Sequence, residues 1–326
     1  MIRISVWNHD LSDSYMRQVT QLGADCIDFG SGDAFPGTRE QGYPDLDQVR
    51  EIKKRIRTWG LDINRVTLPN ISEKFIESLP DGEQELENAC RALEVFGQAK
   101  IPVARQRFGG DIMPSSTPSY RSTHRGGYTS RGEMADLSQW RPSSPDEQQR
   151  WWKRFCQAYA RLVPIAEAYD IKLAIHPSDT PYPGTPFGAL GLHRVTDAFP
   201  SKNVGYLYCI GTRAEAGGSA LVLDEINQYG RKGRIFSVHF RNVRGSLGTS
   251  GGFEEVLLDD GDMNMFRILL ELDRVGFDGC LNPDHIPHLE GDGHTGSAAY
   301  ASHGLAYSIG YIKALLAALA ALPRSF

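Results

Sequence analysis

The sequence predicts a single-domain (β/α)8 barrel over residues 1–326, and three observations support this. Short apolar runs alternate with amphipathic helical segments along the whole chain, the runs number eight, and potential metal ligands end four successive runs. Each crossover is long enough to hold a helix, as parallel strands require. A doubly wound open sheet is the alternative, but no glycine-rich nucleotide-binding motif follows the first run.

The elements follow one another in a regular order. The predicted strands are 2–6, 25–29, 61–66, 102–108, 171–176, 204–209, 234–239 and 278–284. The predicted helices are 12–22, 45–59, 72–99, 145–169, 190–199, 219–231, 262–275 and 303–320. The fourth helix opens with Ser144-Pro145-Asp146-Glu147, which combines an N-cap serine, a proline in the first helical position and an acidic first turn.

Two glycine-rich segments interrupt this order. Residues 109–144 follow the fourth strand, and residues 244–261 follow the seventh. A loop as long as the first is usually functional or disordered. We expect it to form a lid that carries positive charge over the C-terminal face, and a flexible polar insertion is the alternative. The side chains that suggest the lid are Arg121, Arg125, Tyr128 and Arg131.

Charge and composition narrow the class of protein. The chain has 326 residues, a net charge of −5 and a sequence pI near 6.0, without a long block of Lys or Arg. Binding to nucleic acid through a basic surface is therefore disfavoured. A small acidic substrate stays possible, because a local arginine cluster matters more for such a ligand than net charge does.

The cysteines and termini predict a reduced, soluble protein of the cytoplasm. The five cysteines are scattered, and Cys26, Cys90, Cys156 and Cys280 are expected to be buried free thiols. The N-terminus starts as a strand without a signal segment. The apolar segment 313–323 is too short to span a bilayer, so we expect no membrane association.

The four potential ligands are His176, Cys209, His239 and Asp284, each at the end of a strand-like run. In a parallel barrel the C-terminal ends of the strands meet on one face, so these side chains should converge. Two imidazoles, a thiolate and a carboxylate suit Zn²⁺, Fe²⁺ or Mn²⁺. Each residue taken alone could equally be a packed core side chain, and for Cys209 that alternative is the strongest.

Two neighbours of the ligands are candidates for substrate chemistry. His285 directly follows Asp284 and is the best general acid–base candidate, unless its ring points away. Arg241 and Asn242 follow His239 by two and three residues and could contact a substrate carboxylate or hydroxyl.

Further pocket residues are expected on the first and fourth strands. Arg105 and Arg107 alternate along strand four and so should point to one side. If that side is the barrel interior, an anionic ligand would offset the cost of burying them. Trp7 and Asn8 end strand one and are expected to line the floor of the pocket.

Five local segments then carry a family resemblance: IHPSDTP, YCIGT, HFRNVRG, GDMNM and NPDH, in this order. The chain resembles the D-mannonate dehydratase family, whose members are (β/α)8 barrels related to the xylose-isomerase-like group. The resemblance implies dehydration of D-mannonate to 2-keto-3-deoxy-D-gluconate with Mn²⁺ or Fe²⁺. It also implies that His176, Cys209, His239 and Asp284 bind the metal and that His285 is an acid–base group.

The resemblance is weaker where the family contacts its substrate. The family has Arg before its Pro-Asp-His string and Gly-Arg after it, where this chain has Asn282 and Ile286-Pro287. A Phe-His-Glu string of the family corresponds to residues 253–255, which read Phe-Glu-Glu. A catalytic tyrosine of the family has Tyr300 or His303 as its nearest counterpart.

Several alternatives therefore stay open. One is a metal-dependent sugar isomerase or epimerase, or a lyase that acts on a different oxidised sugar. A second alternative is an endonuclease-IV-like barrel, which is disfavoured because it would need three metals and more His and Glu ligands. A third is a non-catalytic binding module, which is disfavoured because such a module would not need a complete set of metal ligands. The partner is expected to be a small sugar acid, and a homo-oligomer is possible.

Overall fold

The computed structural model describes residues 1–110, 119–121, 124–134, 143–182, 184–292 and 302–323. The strands are β1 (Arg3–Trp7), β2 (Cys26–Asp28), β3 (Asp62–Thr67), β4 (Val103–Arg105), β5 (Ser119–Arg121), β6 (Thr129–Met134), β7 (Lys172–Ile175), β8 (Val204–Cys209), β9 (Ile235–His239), β10 (Asn242–Ser246), β11 (Gly252–Val256) and β12 (Cys280–Asn282). Eight of them form a closed barrel in the order β1-β12-β9-β8-β7-β4-β3-β2. The predicted (β/α)8 fold is therefore confirmed.

The helices alternate with the barrel strands as predicted. They are α1 (Asp13–Leu22), α2 (Thr38–Gln41), α3 (Leu46–Thr58), α4 (Glu73–Ile76), α5 (Gly82–Gln98), α6 (Pro145–Tyr169), α7 (Ala189–Ala198), α8 (Ile210–Gly230), α9 (Leu247–Ser250), α10 (Met265–Arg274) and α11 (Ser302–Ala320). Helix α6 begins where predicted, since the Ser144 side chain accepts from the Glu147 backbone and the Glu147 side chain accepts from the Ser144 backbone. Helix α8 begins earlier than predicted, directly after Cys209.

The barrel strands are recognisable because both of their faces are covered. All six residues of β8 are buried, and so are the last three residues of β7. Strands of this kind read as continuous apolar runs rather than as alternating patterns. This is why the eight apolar runs predicted the eight barrel strands.

Contact density divides the chain into two units. One unit holds residues 26–114 and 136–208, and its parallel strands β2, β3, β4, β7 and β8 pair in that order. Its core contains an aromatic cluster in which the rings of Trp151 and Phe155 stack 5.7 Å apart. Phe108, Tyr159 and Phe187 belong to the same cluster.

The other unit holds residues 1–25, 115–135 and 209–326. Strand β12 lies between β1 and β9 in parallel pairing. A second sheet of four antiparallel strands has the order β10-β11-β6-β5. Helix α11 packs against α1 and α10.

This antiparallel sheet corrects two sequence predictions. Segments 109–144 and 244–261 were expected to be loops, but they contain β5, β6, most of β10 and β11. Strand β11 pairs with β10 on one side and with β6 on the other. The strands were missed because they are rich in Gly, Ser and charged residues and contain no apolar run.

Two of the side chains that suggested a lid over 109–144 are engaged within the protein, and the lid stays a prediction. Arg125 donates two hydrogen bonds to Asp259, of 3.0 and 2.6 Å, so its charge is already neutralised within the protein. Tyr128 is buried, and its hydroxyl donates to Asp260 Oδ2 at 2.8 Å. Both residues fasten the segment to residues 259–260. The side chains of Arg121 and Arg131 lie outside the described residues.

The C-terminal helix is longer than the apolar segment suggested. Within the described part of the chain, α11 alone is long and apolar enough to cross a membrane by length and composition, and 28% of that stretch is buried. Its buried residues include Leu305, Ile309 and Ile312. The five cysteines are free as predicted, although Cys156 is half-buried rather than buried.

Candidate metal centre

Three of the four predicted ligands come together. The ligand atoms of His176, Cys209 and His239 all lie within 4.8 Å of one another, and all three residues are buried. One ion with metal–ligand distances of about 2.0–2.3 Å holds its ligands within about 4–4.6 Å of each other, so this group has nearly the span that a single ion needs.

His176 follows the last residue of β7, and a backbone carbonyl orients its ring. Nδ1 lies 2.6 Å from the Pro177 carbonyl oxygen. A ring nitrogen that donates to a carbonyl fixes the tautomer and presents the other nitrogen as a ligand. The His-Pro dipeptide therefore supplies both the imidazole and its orientation.

Cys209 ends β8 and is also the N-cap of α8. Its Sγ accepts from the backbone N–H of Thr212 at 3.4 Å and from the Thr212 hydroxyl at 3.1 Å. Burial raises the pKa of the thiol to about 12, although Arg241 acts in the opposite direction. A bound divalent cation favours the thiolate, so a metal would counter this effect of burial.

His239 ends β9 and contacts Asp284 and Trp7. Its Nδ1 lies 3.2 Å from Asp284 Oδ2, a distance that suits either a carboxylate that orients the imidazole or two groups that share one ion. The Trp7 ring meets the imidazole edge-on at 5.6 Å, and Trp7 Nε1 donates to the Asp284 carbonyl at 3.4 Å. Trp7 therefore lies at the site, where it packs against two of the predicted ligands.

Asp284 lies beside the three-residue group rather than within it. It has a left-handed backbone with φ of 57°, which is uncommon for a residue other than glycine, and its N–H donates to Asn282 Oδ1 at 2.8 Å. Burial alone would raise the pKa of its carboxyl group, but His239, His285 and Arg241 outweigh burial and hold it well below its usual range. Asp284 is thus a buried anion at the edge of the site.

Arg241 uses all five of its N–H groups within the protein. Nε donates to Asp284 Oδ2 at 2.9 Å, and Nη1 donates to Glu215 and Glu255 at 2.7 and 2.5 Å. Nη2 donates to Cys209 Sγ at 3.3 Å and to Thr212 Oγ1 at 2.8 Å. Since guanidinium has five donors, none remains for a substrate carboxylate. These contacts favour a structural role for Arg241 within the site, and its contact with substrate stays a prediction.

Asn242, the second predicted substrate contact on this segment, is also engaged within the protein. Its Nδ2 donates to the carbonyls of Leu258 and Met263, at 2.8 and 3.0 Å. Its Oδ1 accepts from the N–H groups of Val243 and Met263, at 3.0 and 3.2 Å. Two donors and two acceptor positions are the full capacity of an amide. Asn242 therefore anchors the 258–263 segment.

His285 lies next to the metal group and is partly open. Its side chain is 32% exposed, Nδ1 lies 2.8 Å from Glu255 Oε1, and Nε2 lies 3.9 Å from Asp284 Oδ2. Burial acts to lower the pKa of the imidazole, but Asp284 and Glu255 outweigh burial and raise it to about 9. This geometry keeps the general acid–base role for His285 open.

The other predicted substrate-binding and catalytic residues come from β4, β1 and the start of α11. Arg105 is buried at the end of β4, while Arg107 and Asn8 are half-buried just beyond β4 and β1. His303 lies in the first turn of α11, with Nδ1 3.0 Å from Asp292 Oδ1 and a side chain that is 59% exposed. Tyr300 lies outside the described residues.

Sequence reasoning missed three residues of this network: Thr212, Glu215 and Glu255. Glu215 and Glu255 are 0% and 2% exposed. One signal was available for Thr212 and Glu215, because both lie in the first two turns of a helix that begins at a predicted ligand. For Glu255, the predicted elements gave no signal because its strand was expected to be a loop. The match of residues 253–255 to a family string was the one pointer to this position.

The residues present fit a divalent ion. The donor set is two imidazoles and a thiol, which suits a borderline transition metal. Beside it, three buried carboxylates share one guanidinium, so the network carries excess negative charge. A dication would offset that excess in a region of low dielectric.

Barrel and site together define a metal-dependent barrel enzyme. The family model for D-mannonate dehydratase (UxuA) matches residues 132–325. A mannonate dehydratase from Streptococcus equi subsp. zooepidemicus is 26% identical over 84% of this chain and 83% of its own length.

Two solved structures share the fold. The mannonate dehydratase of Streptococcus suis serotype 2 superposes with a TM-score of 0.84 at 22% identity, over 100% of this chain and 98% of that one. A D-psicose 3-epimerase from Clostridium cellulolyticum H10 superposes with a TM-score of 0.62 at 12% identity, over 97% and 99% of the two chains. The chain belongs to the D-mannonate dehydratase family, a family of hydro-lyases.

Proposed function

We propose that the protein dehydrates D-mannonate to 2-keto-3-deoxy-D-gluconate with Mn²⁺ or Fe²⁺ as its metal. The observation that carries this proposal is the buried His176, Cys209 and His239 group in a chain of the D-mannonate dehydratase family. A thiolate ligand favours softer ions over Mg²⁺ and Ca²⁺, which prefer oxygen ligands.

His176, Cys209 and His239 would hold the metal, and Asp284 is proposed as the fourth ligand. The contact between Asp284 Oδ2 and His239 Nδ1 supports its place at the ion, since an oxygen 3.2 Å from a ligand ring is close to the ligand shell. Arg241 would fix the positions of Cys209 and Asp284 at the same time, because it donates to both.

The reaction removes a proton from the carbon next to the substrate carboxylate and releases the β-hydroxyl as water. A bound divalent metal supplies Lewis acidity that makes this proton easier to remove. We assign the transfer of a proton to the leaving hydroxyl to His285, since its partly open ring lies beside Asp284. His303 or Tyr300 is proposed as the second acid–base group.

The substrate-binding groups are then fewer than the sequence suggested. Arg241 and Asn242 are fully engaged within the protein, so the substrate carboxylate needs other partners. Arg105 and Arg107 at the end of β4, together with Trp7 and Asn8 at the end of β1, are the proposed substrate contacts.

A second function is an isomerase, epimerase or lyase on the same scaffold that acts on a different oxidised sugar. It is favoured by the sequence differences at Asn282, Ile286-Pro287 and Glu254, which all adjoin residues of the site. Removal of a proton next to a carbonyl or carboxylate is common to both functions, and they differ in the group that leaves.

The decisive experiment is an anaerobic assay of the purified protein with D-mannonate and either Mn²⁺ or Fe²⁺. Release of 2-keto-3-deoxy-D-gluconate that stops with a chelator and with Cys209→Ala is the expected result. Cys280→Ala is the matched control, because Cys280 is an equally buried free cysteine on another barrel strand, β12. Metal binding without turnover of D-mannonate would instead favour the second function.

Two further expectations belong to this proposal. The five free cysteines support a cytoplasmic enzyme, because thiols stay reduced there. A homo-oligomer is proposed as the working form, and sedimentation analysis of the purified protein would test it.

A further inference from the structure

Glu255 connects the general acid–base candidate to the metal ligands. Its carboxylate is 2% exposed, and Oε1 accepts from both His285 Nδ1, at 2.8 Å, and Arg241 Nη1, at 2.5 Å. Arg241 in turn donates to Cys209 and Asp284. One carboxylate oxygen therefore joins His285 to the same guanidinium that holds two of the proposed metal ligands.

The antiparallel sheet determines which residue occupies this place. Glu255 lies on β11, opposite Val243 of β10, while Glu254 lies opposite Gly132 of β6. Since successive side chains of a strand point to opposite faces, a shift of one residue would replace Glu255 by Glu254. Pairing on both sides of β11 holds the register, and the Glu254 side chain is 35% exposed.

We propose that Glu255 is a positioning residue for His285, an inference that rests on the proposed function. The carboxylate holds Nδ1, so Nε2 becomes the ring nitrogen on the side of Asp284, from which it lies 3.9 Å. Without Glu255 the ring, whose side chain is 32% exposed, loses its hydrogen bond at Nδ1 and keeps only the longer contact with Asp284. The role of the antiparallel sheet in catalysis would then be to hold the Glu255 carboxylate beside His285.

The main test compares Glu255→Gln with Glu254→Gln, which removes the same charge from the next residue of the same strand. The first readout is the proton resonance of His285 Nδ1–H in protein that carries ¹⁵N-labelled histidine and is loaded with Zn²⁺, a diamagnetic ion that suits the same ligands. The resonance is assigned by its loss in His285→Asn. We expect this resonance to shift upfield or exchange away in Glu255→Gln and to stay unchanged in Glu254→Gln. A resonance that stays unchanged in Glu255→Gln and also in Glu255→Ala would overturn the proposal.

Kinetics supply the second readout. Glu255→Gln should lower kcat about tenfold to a hundredfold, the usual effect of removing an orienting partner, while KM and metal content stay close to wild type. In a His285→Asn background the same substitution should have no further effect, because its role passes through His285. Losses that multiply, or a loss confined to KM, would contradict a positioning role.

Two precautions keep the result interpretable. In Glu255→Gln the glutamine amide could still accept a hydrogen bond from His285. Glu255→Ala removes that acceptor as well, so a resonance that survives both substitutions overturns the proposal. The resonance does not depend on which sugar acid is the substrate. If the wild-type protein does not act on D-mannonate, the proposed function fails while the test of Glu255 still gives an answer.

Discussion

Gly211 lies directly against the Arg241 side chain. A β-carbon on residue 211 would lie 2.6 Å from Arg241 Cγ and 2.7 Å from both Cζ and Nη1. Five hydrogen bonds hold the guanidinium, so it cannot move aside without losing contacts to Cys209 or Asp284. The glycine of the YCIGT segment therefore provides the space that Arg241 needs to reach the site.

Gly211→Ala should weaken metal binding about tenfold to a hundredfold, because displacement of Arg241 disturbs two proposed ligands together. The measurement is the dissociation constant for Mn²⁺. Gly310→Ala is the control, since Gly310 lies in α11 with no atom within 4 Å of the added carbon. It should leave metal binding unchanged and stabilise the helix slightly. Equal metal affinity in both variants would contradict the steric argument.

Arg241→Lys separates a structural role from a substrate-binding role. Lysine keeps the charge but has three donors and no planar fork, so at least two of the five hydrogen bonds are lost. We expect lower metal content and a lower kcat, together with a loss of stability of about 3–5 kcal/mol if the buried carboxylates lose their partner.

Arg244→Lys is the matched control for this change. Arg244 lies in the same HFRNVRG segment, is 30% exposed and pairs with Asp260 Oδ1 at 3.0 Å. Its replacement should cost less than about 1 kcal/mol. A raised KM for the sugar acid with full metal content in Arg241→Lys would restore the substrate-binding role.

The metal ligands could be predicted from the sequence, whereas the hydrogen-bonding partners that surround them could not. His176, Cys209 and His239 could be predicted to converge, because each ends an apolar run and parallel strand ends meet on one face of a barrel. The partners of Arg241 could not be predicted. Glu215 and Glu255 come from a helix and from an antiparallel strand, and which carboxylates reach one guanidinium depends on packing between elements.

The antiparallel sheet escaped prediction for a related reason. Val243, Phe253 and Val256 are buried, but glycines, serines and charged residues separate them along the chain. The pattern therefore resembled a polar loop. The role of Asn242 is equally hard to predict, because in sequence a buried amide that satisfies backbone groups looks like an amide available to a ligand.

Asp292 gives a prediction for the pH dependence of stability. Its buried carboxylate accepts from the backbone N–H groups of Leu289, His303 and Gly304 and from the Ser302 hydroxyl. Burial acts to raise the pKa of the carboxyl group, but these hydrogen bonds outweigh it and lower the pKa below 3.8. The stabilisation is therefore present above about pH 4 and lost as the pH falls through the folded-state pKa.

Asp292→Asn should lower the thermal unfolding midpoint at neutral pH, and the difference from wild type should shrink below about pH 4. Glu290→Gln is the control, because Glu290 is an exposed carboxylate two residues away. A difference that stayed constant from neutral to acidic pH would mean that the carboxylate charge is not what stabilises the start of α11.

Arg213 and Glu225 form a buried pair across a break in α8. The guanidinium donates to both carboxylate oxygens, at 2.8 and 2.7 Å, and both side chains are 0% exposed. Between them, Gly217 and Gly218 leave the helical conformation, and Gly218 has φ of 70°. The pair therefore joins the part of α8 that begins at Cys209 to the rest of the helix.

Arg213→Met should destabilise the protein by about 3–5 kcal/mol, because it leaves the Glu225 carboxylate buried without its cation. The double variant Arg213→Met/Glu225→Leu should recover most of this loss, since both charges are then gone. Urea denaturation of the two variants and of a control, Arg274→Met, measures the difference. Arg274 is 63% exposed, and its Nη1 lies 3.3 Å from Glu271. The control should lose less than about 1 kcal/mol. A double variant no more stable than Arg213→Met alone would show that the pair holds α8 by its geometry rather than by compensation of charge.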